Sequence, residues 1–340
     1  MKTKSLVVTS VAVCVLALAL SLTAAAEAPA VAGDAQARSA LPKNLAGLSG
    51  PFDLSGPLKP EIRYYIQSTE FVHLGFDGKR TGAETYTVKL MVVPAALSGK
   101  DGDEYTVREF TIRNGGQEAE TIPALSGWSY VFNLEESGKD EKGQVLGIPH
   151  AKFLGLTTSR GTKLSSVASY PVYNSFIDFH AFNDVFARPT PAGGGIQDLR
   201  LIGHVVRHAS AFSEPAVDLG EGIKPGSVFR NGDVKLVFKG ISVVDGAACA
   251  VIGYDSGEST LKMIMPMGAD KEIVTEGGSE YLGDLYIDLA TRWVRKVTLD
   301  EFVVTETRLP ATGAATGQKI PAYTVRHLLT RQVGREEFEK

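Results

Sequence analysis

The sequence predicts an all-β fold. The strands would form an antiparallel meander arranged as a half-barrel, a barrel or a sandwich, with two related β units as one version of that arrangement. Three observations carry this reading. From about residue 61 onward, short segments rich in Val, Ile, Tyr, Phe and Thr follow one another. Gly, Asn-Gly and Asp-Gly turn signals separate them. No segment shows the sustained 3.6-residue period of an amphipathic helix of normal length.

Taken in order, the first strand segments are Glu84 to Val93 and Tyr105 to Arg113, with Lys100, Asp101, Gly102 and Asp103 as the turn between them and Asn114-Gly115-Gly116 as the next break. Residues 137–165 and 187–200 read as glycine- and charge-rich loops, the second containing Gly193, Gly194 and Gly195. Ser227 to Arg230 and Val234 to Phe238 flank Asn231-Gly232, a pair that tolerates positive φ and so favours a type I′ hairpin. Ile241 to Val244 and Ala248 to Tyr254 flank Asp245-Gly246 in the same manner. Leu285 to Asp288, Arg292 to Val304 and Tyr323 to Gln332 complete the series. A faint internal echo, Val88-Lys89-Leu90 before Asp101-Gly102 and Val234-Lys235-Leu236 before Asp245-Gly246, is the basis for considering two related units.

The domain plan is therefore a signal peptide over residues 1–26, a flexible leader over 27–60, an N-terminal β region over 61–190 and a C-terminal β meander over 200–335. Lys2 and Lys4 precede an apolar run from Leu6 to Ala26, and the small residues Ala24 and Ala26 fit a cleavage site before Glu27. Cys14 lies in the middle of this run, in Val11-Ala12-Val13-Cys14, with Val where a lipid-attachment motif wants Gly, Ala or Ser. The leader is rich in Ala, Pro, Gly and Ser and has no sustained period. No later stretch approaches the length of a membrane span, so no integral membrane segment is expected after cleavage. Export to the periplasm or the extracellular space follows as an expectation.

Composition excludes some partners and leaves others open. The net charge is −4, and losing Lys2 and Lys4 makes the remaining chain more acidic, so a phosphate-backbone partner such as nucleic acid is not expected. After cleavage Cys249 is the only cysteine, and stability must come from the core rather than from an intrachain disulfide. Ala248 and Ala250 flank it on an apolar segment, which suits a buried small hydrophobe.

Few residue patterns point to chemistry. His204 and His208 are four apart and would share a face in a strand or a helix. Asp178, His180 and Asp184 would share one face of a strand. His180, Asp184, His204 and His208 thus form a candidate metal set for a metal-dependent hydrolase or other metalloprotein. The same residues also suit the solvated outer face of strands. Val205 stands where a metalloprotease helix needs its glutamate. The carboxylates Asp284, Asp288, Asp300 and Glu301 form the other chemical candidate, because a glycosidase needs two such groups about 5–10 Å apart. No nucleophile elbow is present. Val234, Leu236 and Phe238 on one segment, and Leu285 and Ile287 on another, form apolar faces that either fill a core or line a cavity.

Residues 226–335 resemble the half-barrel strand pattern of the LolA/LppX class of bacterial envelope lipoprotein and lipid carriers. The resemblance is carried by Asp245-Gly246 followed by Ala248 to Ile252, by Gly283 to Asp288, and by Trp293 to Phe302. It implies a curved antiparallel sheet wrapped around an acyl-chain cavity. The expected function is accordingly an exported, non-catalytic cell-envelope protein that needs no cofactor and binds an apolar ligand (a lipid or an acyl chain) or an envelope partner protein.

Overall fold

The computed structural model describes residues 50–132, 148–190, 193–208, 213–215, 223–230, 232–268, 270–311 and 317–340. The signal-peptide segment, residues 27–49 of the leader and residues 137–147 of the predicted loop lie outside these residues. Gly47–Lys340 forms one compact unit.

Strand alternation produces the expected antiparallel fold. The strands are β1 (Arg63–Leu74), β2 (Arg80–Val93), β3 (Asp103–Asn114), β4 (Glu120–Thr121), β5 (Ser129–Phe132), β6 (Val205–Arg207), β7 (Ser213–Pro215), β8 (Val228–Arg230), β9 (Lys235–Val244), β10 (Ala247–Asp255), β11 (Ser259–Pro266), β12 (Glu272–Asp288), β13 (Val294–Leu309) and β14 (Gln318–Val333). They belong to one 14-stranded sheet whose main path runs β4-β3-β2-β1-β14-β13-β12-β10-β9-β6. The path is open between β4 and β6 and does not close into a barrel. Among the described residues, no helix is long and apolar enough to cross a membrane.

The predicted N-terminal and C-terminal β regions are neighbours within this sheet. β1 pairs with β14 from Tyr64↔Val333 to Leu74↔Tyr323. The two echo segments also connect differently. β2 reaches β3 through a single helical turn, α1 (Ala95–Ser98), whereas β9 turns directly into β10 at Asp245-Gly246. That second turn is the predicted hairpin, with φ values of 47° at Asp245 and 79° at Gly246, as a type I′ turn requires.

The hairpin predicted at Asn231-Gly232 does not form. β8 pairs with β7 and β11 instead of β9, with Arg230 opposite both Ser213 and Thr260. Asn231 itself lies outside the described residues. A turn dipeptide permits a hairpin, but it does not by itself choose the strand's partner.

Residues 50–60 lack regular secondary structure but are docked on the sheet. Leu54 is buried in the core, Phe52 N–H donates to the Arg200 carbonyl at 2.8 Å, and the Trp293 indole donates to the Lys59 carbonyl at 2.8 Å. The fold therefore begins before residue 61.

The largest departure from expectation is a helix. Ser166–His180 forms α2, and a π-helical turn over Ala181–Val185 continues it. Ser165 caps its start by accepting from the Ala168 N–H at 3.1 Å. The segment is rich in aromatic and β-branched residues and contains Pro171, so local propensity argues for strand. Burial on both sides overrides that preference, and it also removes the polar stripe that would reveal a surface helix. Val172, Tyr173, Phe176 and Phe179 pack into one hydrophobic cluster with Leu90, Val107, Phe110 and Tyr130. Phe182, Phe186 and Ala187 pack into a second cluster with Leu236, Phe238, Ile252 and Leu285. Each fully buried Phe in these clusters contributes roughly 1.5–3 kcal/mol. The last element is the short helix α3 (Arg335–Glu339), which buries Phe338.

Candidate functional site

The helical geometry of α2 separates residues that a strand would have placed together. Successive side chains on a helix are about 100° apart, so Asp178 and His180 point to different sides. Asp178 faces a cavity between the helix and the sheet, whereas His180 and Asp184 turn into the aromatic core.

In that core, His180 Nδ1 lies 2.7 Å from Asp184 Oδ2, and His180 Nε2 lies 2.8 Å from the Tyr130 hydroxyl. The Tyr105 hydroxyl donates to Asp184 Oδ2 at 2.9 Å. Arg188 donates to Asp184 Oδ1 at 2.5 Å and to Asp103 Oδ2 at 2.8 Å. The His180 ring stacks on Phe132 with centroids 3.9 Å apart. Burial lowers the His180 pKa and outweighs the Asp184 carboxylate beside it, so the imidazole is neutral near pH 7. Burial acts to raise the Asp184 pKa, but Arg188, His180 and Tyr105 together hold it below the usual carboxylate value. This constellation includes a histidine and its orienting carboxylate. However, every ring edge already meets a protein group, and none of its members lines either cavity described below. Its chemistry is that of a brace joining the end of α2 to β3 and β5.

The predicted metal set does not assemble. His204 is exposed just before β6, whereas His208 is buried against Phe186, with ring centroids 5.0 Å apart. β6 is only three residues long, so the alternation that would have placed both rings on one face is not sustained. Among the described residues, no group of three or more His, Cys, Asp or Glu side chains is placed to hold a metal ion.

The carboxylate candidates also separate. Asp284 pairs with Lys239 at 2.6 Å, Asp288 with Arg295 at 2.7 Å, and exposed Asp300 with His327 at 2.5 Å. Asp300 and Glu301 are adjacent in β13 and therefore point to opposite faces of the sheet. Cys249 is fully buried, and burial pushes its thiol up to about 12, so it is an inert packing residue at neutral pH.

The candidate site is a cavity of about 330 Å³ between α2 and the sheet. This lies at the lower end of the roughly 300–1,000 Å³ typical of small-molecule sites. From the helix side come Tyr170, Asn174, Ile177 and Asp178, followed by Ala181 and Phe182. Their i, i+4, i+7, i+8 spacing marks a single helical face. The sheet contributes Phe71, Tyr254 and Val303, and β8 and β11 add Phe229, Leu261 and Met263. Most of the wall is apolar.

The polar part of this cavity is one row across four strands. Phe71 on β1 is opposite Arg326 on β14, Arg326 is opposite Glu301 on β13, and Glu301 is opposite Tyr281 on β12. Asp178 reaches this row from the helix. Arg326 Nη1 donates to Asp178 Oδ2 at 2.6 Å, and its Nε lies 2.5 Å from Glu301 Oε2. The guanidinium also sits over the Tyr281 and Phe71 rings, 5.2 and 5.8 Å from their centroids. Burial pushes the Asp178 carboxyl up to about 6 despite Arg326, and nearby Glu301 adds to the rise. Burial also opposes the Arg326 charge, but the two carboxylates outweigh it and keep the group protonated. Sequence reasoning noted Asp178 and Glu301 for other roles and passed over Arg326 and Tyr281. The only available signal was a lone charge alternating with apolar residues, which equally describes a solvated strand.

A second concavity of about 410 Å³ involves Ser242, Asp245, Tyr286, Lys296, Leu329 and Arg331. Its cations are largely engaged, with Arg331 on Glu337 at 3.0 Å and Lys296 over the Tyr286 ring. The smaller cavity is the better site because its wall is apolar and its charges are buried.

Scanning the sequence against protein-family models gives no match, and a search of curated protein sequences likewise gives none.

Proposed function

We propose that this protein is an exported, non-catalytic component of the cell envelope that holds an apolar ligand, a lipid or an acyl chain, in the cavity beneath α2. The observation that carries the reading is a largely apolar space between a helix and an open sheet, with a small set of polar groups at one place in its wall. The reading agrees with the resemblance of residues 226–335 to LolA/LppX carriers. Its export component rests on the residues from Met1 to Ala26.

Native mass spectrometry of protein produced with its leader tests both parts. The expected outcome is a polypeptide beginning at Glu27 with a co-purified lipid or acyl adduct. A Val303→Trp variant fills the cavity and should lose the adduct while retaining the wild-type circular dichroism spectrum. If the wild type carries no adduct and takes up no naphthylamine-type apolar probe in solution, the ligand-binding reading fails.

A further inference from the structure

We infer that the cavity selects a ligand bearing a cationic or hydrogen-bond-donating head, a long-chain amine in the first instance, over a free carboxylate. This rests on the apolar-ligand reading above and specifies its chemistry. The charged groups in the cavity wall are Asp178, Glu301, Arg326 and Lys262. Lys262 is already paired with Glu276 at 2.9 Å. Within the row, two carboxylates share one guanidinium, leaving one formal negative charge where water is scarce.

Arg326 already faces two carboxylates, Asp178 at Nη1 and Glu301 at Nε. An incoming carboxylate would bring a third negative charge to a single cation. An ammonium meets the opposite situation. Asp178 Oδ2 is taken by Arg326, while Oδ1 of the same cavity-lining carboxyl has no protein donor among the described residues. Adding one cation balances the site at two positive and two negative charges, and a hydrogen bond to a charged group is stronger than one between neutral groups. An alcohol can donate to the same oxygen without supplying charge and should fall between the two.

The test is competition for a bound naphthylamine-type probe by decylamine, decanol and decanoate at pH 7.5, each below its micelle concentration. The tail is the same in all three, so only the head differs. We expect decylamine to bind at least about tenfold more tightly than decanoate, a difference of about 1.4 kcal/mol. We also expect Asp178→Asn to bring the three within a few-fold of one another. Glu301→Gln serves as the second variant should Asp178→Asn not fold, and it should narrow the gap in the same direction. If decanoate binds as tightly as decylamine, the head-group inference is wrong while the apolar cavity stands. If none of the three displaces the probe, or the probe does not bind, the apolar-ligand reading falls with it. An unchanged decylamine preference in a folded Asp178→Asn variant also overturns the inference.

Discussion

Asp178 on the helix and Arg326 on β14 are 148 residues apart in sequence and meet at 2.6 Å across the wall of a cavity. This ion pair is the main charged link between α2 and the sheet on the cavity side, and Glu301 completes it. Farther along β14, where it pairs with β1, the Gln67 amide donates to the Ser175 carbonyl at 2.6 Å and its carbonyl accepts from the Thr330 hydroxyl at 2.9 Å. Together these contacts fix how the helix lies on the strands.

The first prediction concerns pH. The Asp178 carboxyl titrates near 6 in the folded protein and near 3.9 in an unfolded chain. A raised carboxylate pKa means that folding favours the protonated form. Its contribution is fully present below about pH 4 and is lost as pH rises through 6. A shift of roughly two units corresponds to about 3 kcal/mol. Thermal melts of wild type and Asp178→Asn between pH 4.5 and 7.5 should therefore show the wild type gaining on the variant as pH falls. A constant difference across that range would show that Asp178 is not held up in this way.

Removing Arg326 should do more harm than removing either acid. Arg326→Met leaves Asp178 and Glu301 buried without their shared cation, and breaking a buried pair in this way costs about 3–5 kcal/mol. The triple variant Arg326→Met, Asp178→Asn, Glu301→Gln removes the charges together and should recover much of that loss. Urea unfolding of the single and triple variants measures both. Equal destabilisation in the two would mean that packing, not charge, accounts for the effect.

The brace around His180 is expected to behave as structure rather than as a metal centre. Dialysis against a chelator should leave the melting temperature unchanged, and the purified protein should carry no stoichiometric transition metal. Asp184→Asn should cost about 3 kcal/mol or more, because Arg188, His180 and Tyr105 all address that carboxylate in the interior. The contribution of Asp184 has the opposite pH sense to that of Asp178. Its lowered pKa gives stability that is present above about pH 4 and disappears as pH falls through the folded value. Metal found in stoichiometric amount, and lost together with stability in a His180→Ala variant, would contradict this account.

A fourth expectation concerns the segment that precedes β1. Leu54 is 2% exposed within the second hydrophobic cluster. Leu54→Ala should cost about 2–5 kcal/mol, and a chain starting at residue 61 should be less stable than one starting at residue 50. Chemical denaturation of both forms checks this. Equal stability would return these residues to the role of a free leader.

Much of the fold was legible because a strand writes its environment into a period of two. Tyr86, Val88, Leu90 and Val92 are buried on one face of β2, and the positive-φ pair Asp245-Gly246 sets its own turn. Those relations involve neighbours in sequence, so the sequence by itself determined the antiparallel all-β class and the hairpin at Asp245-Gly246, while β1 and β11 were not among the segments it marked. The helix was not legible, because both of its sides are buried and its residues carry no polar stripe. The hairpin at Asn231-Gly232 was misread because a permissive turn does not choose a strand's partner. Only the tertiary structure decided that His204 and His208 part company, that Asp178 turns away from His180, and that Glu301 and Arg326 point inward. A buried charge and a solvated one look alike in an alternating strand. What separates them is a partner supplied from more than a hundred residues away.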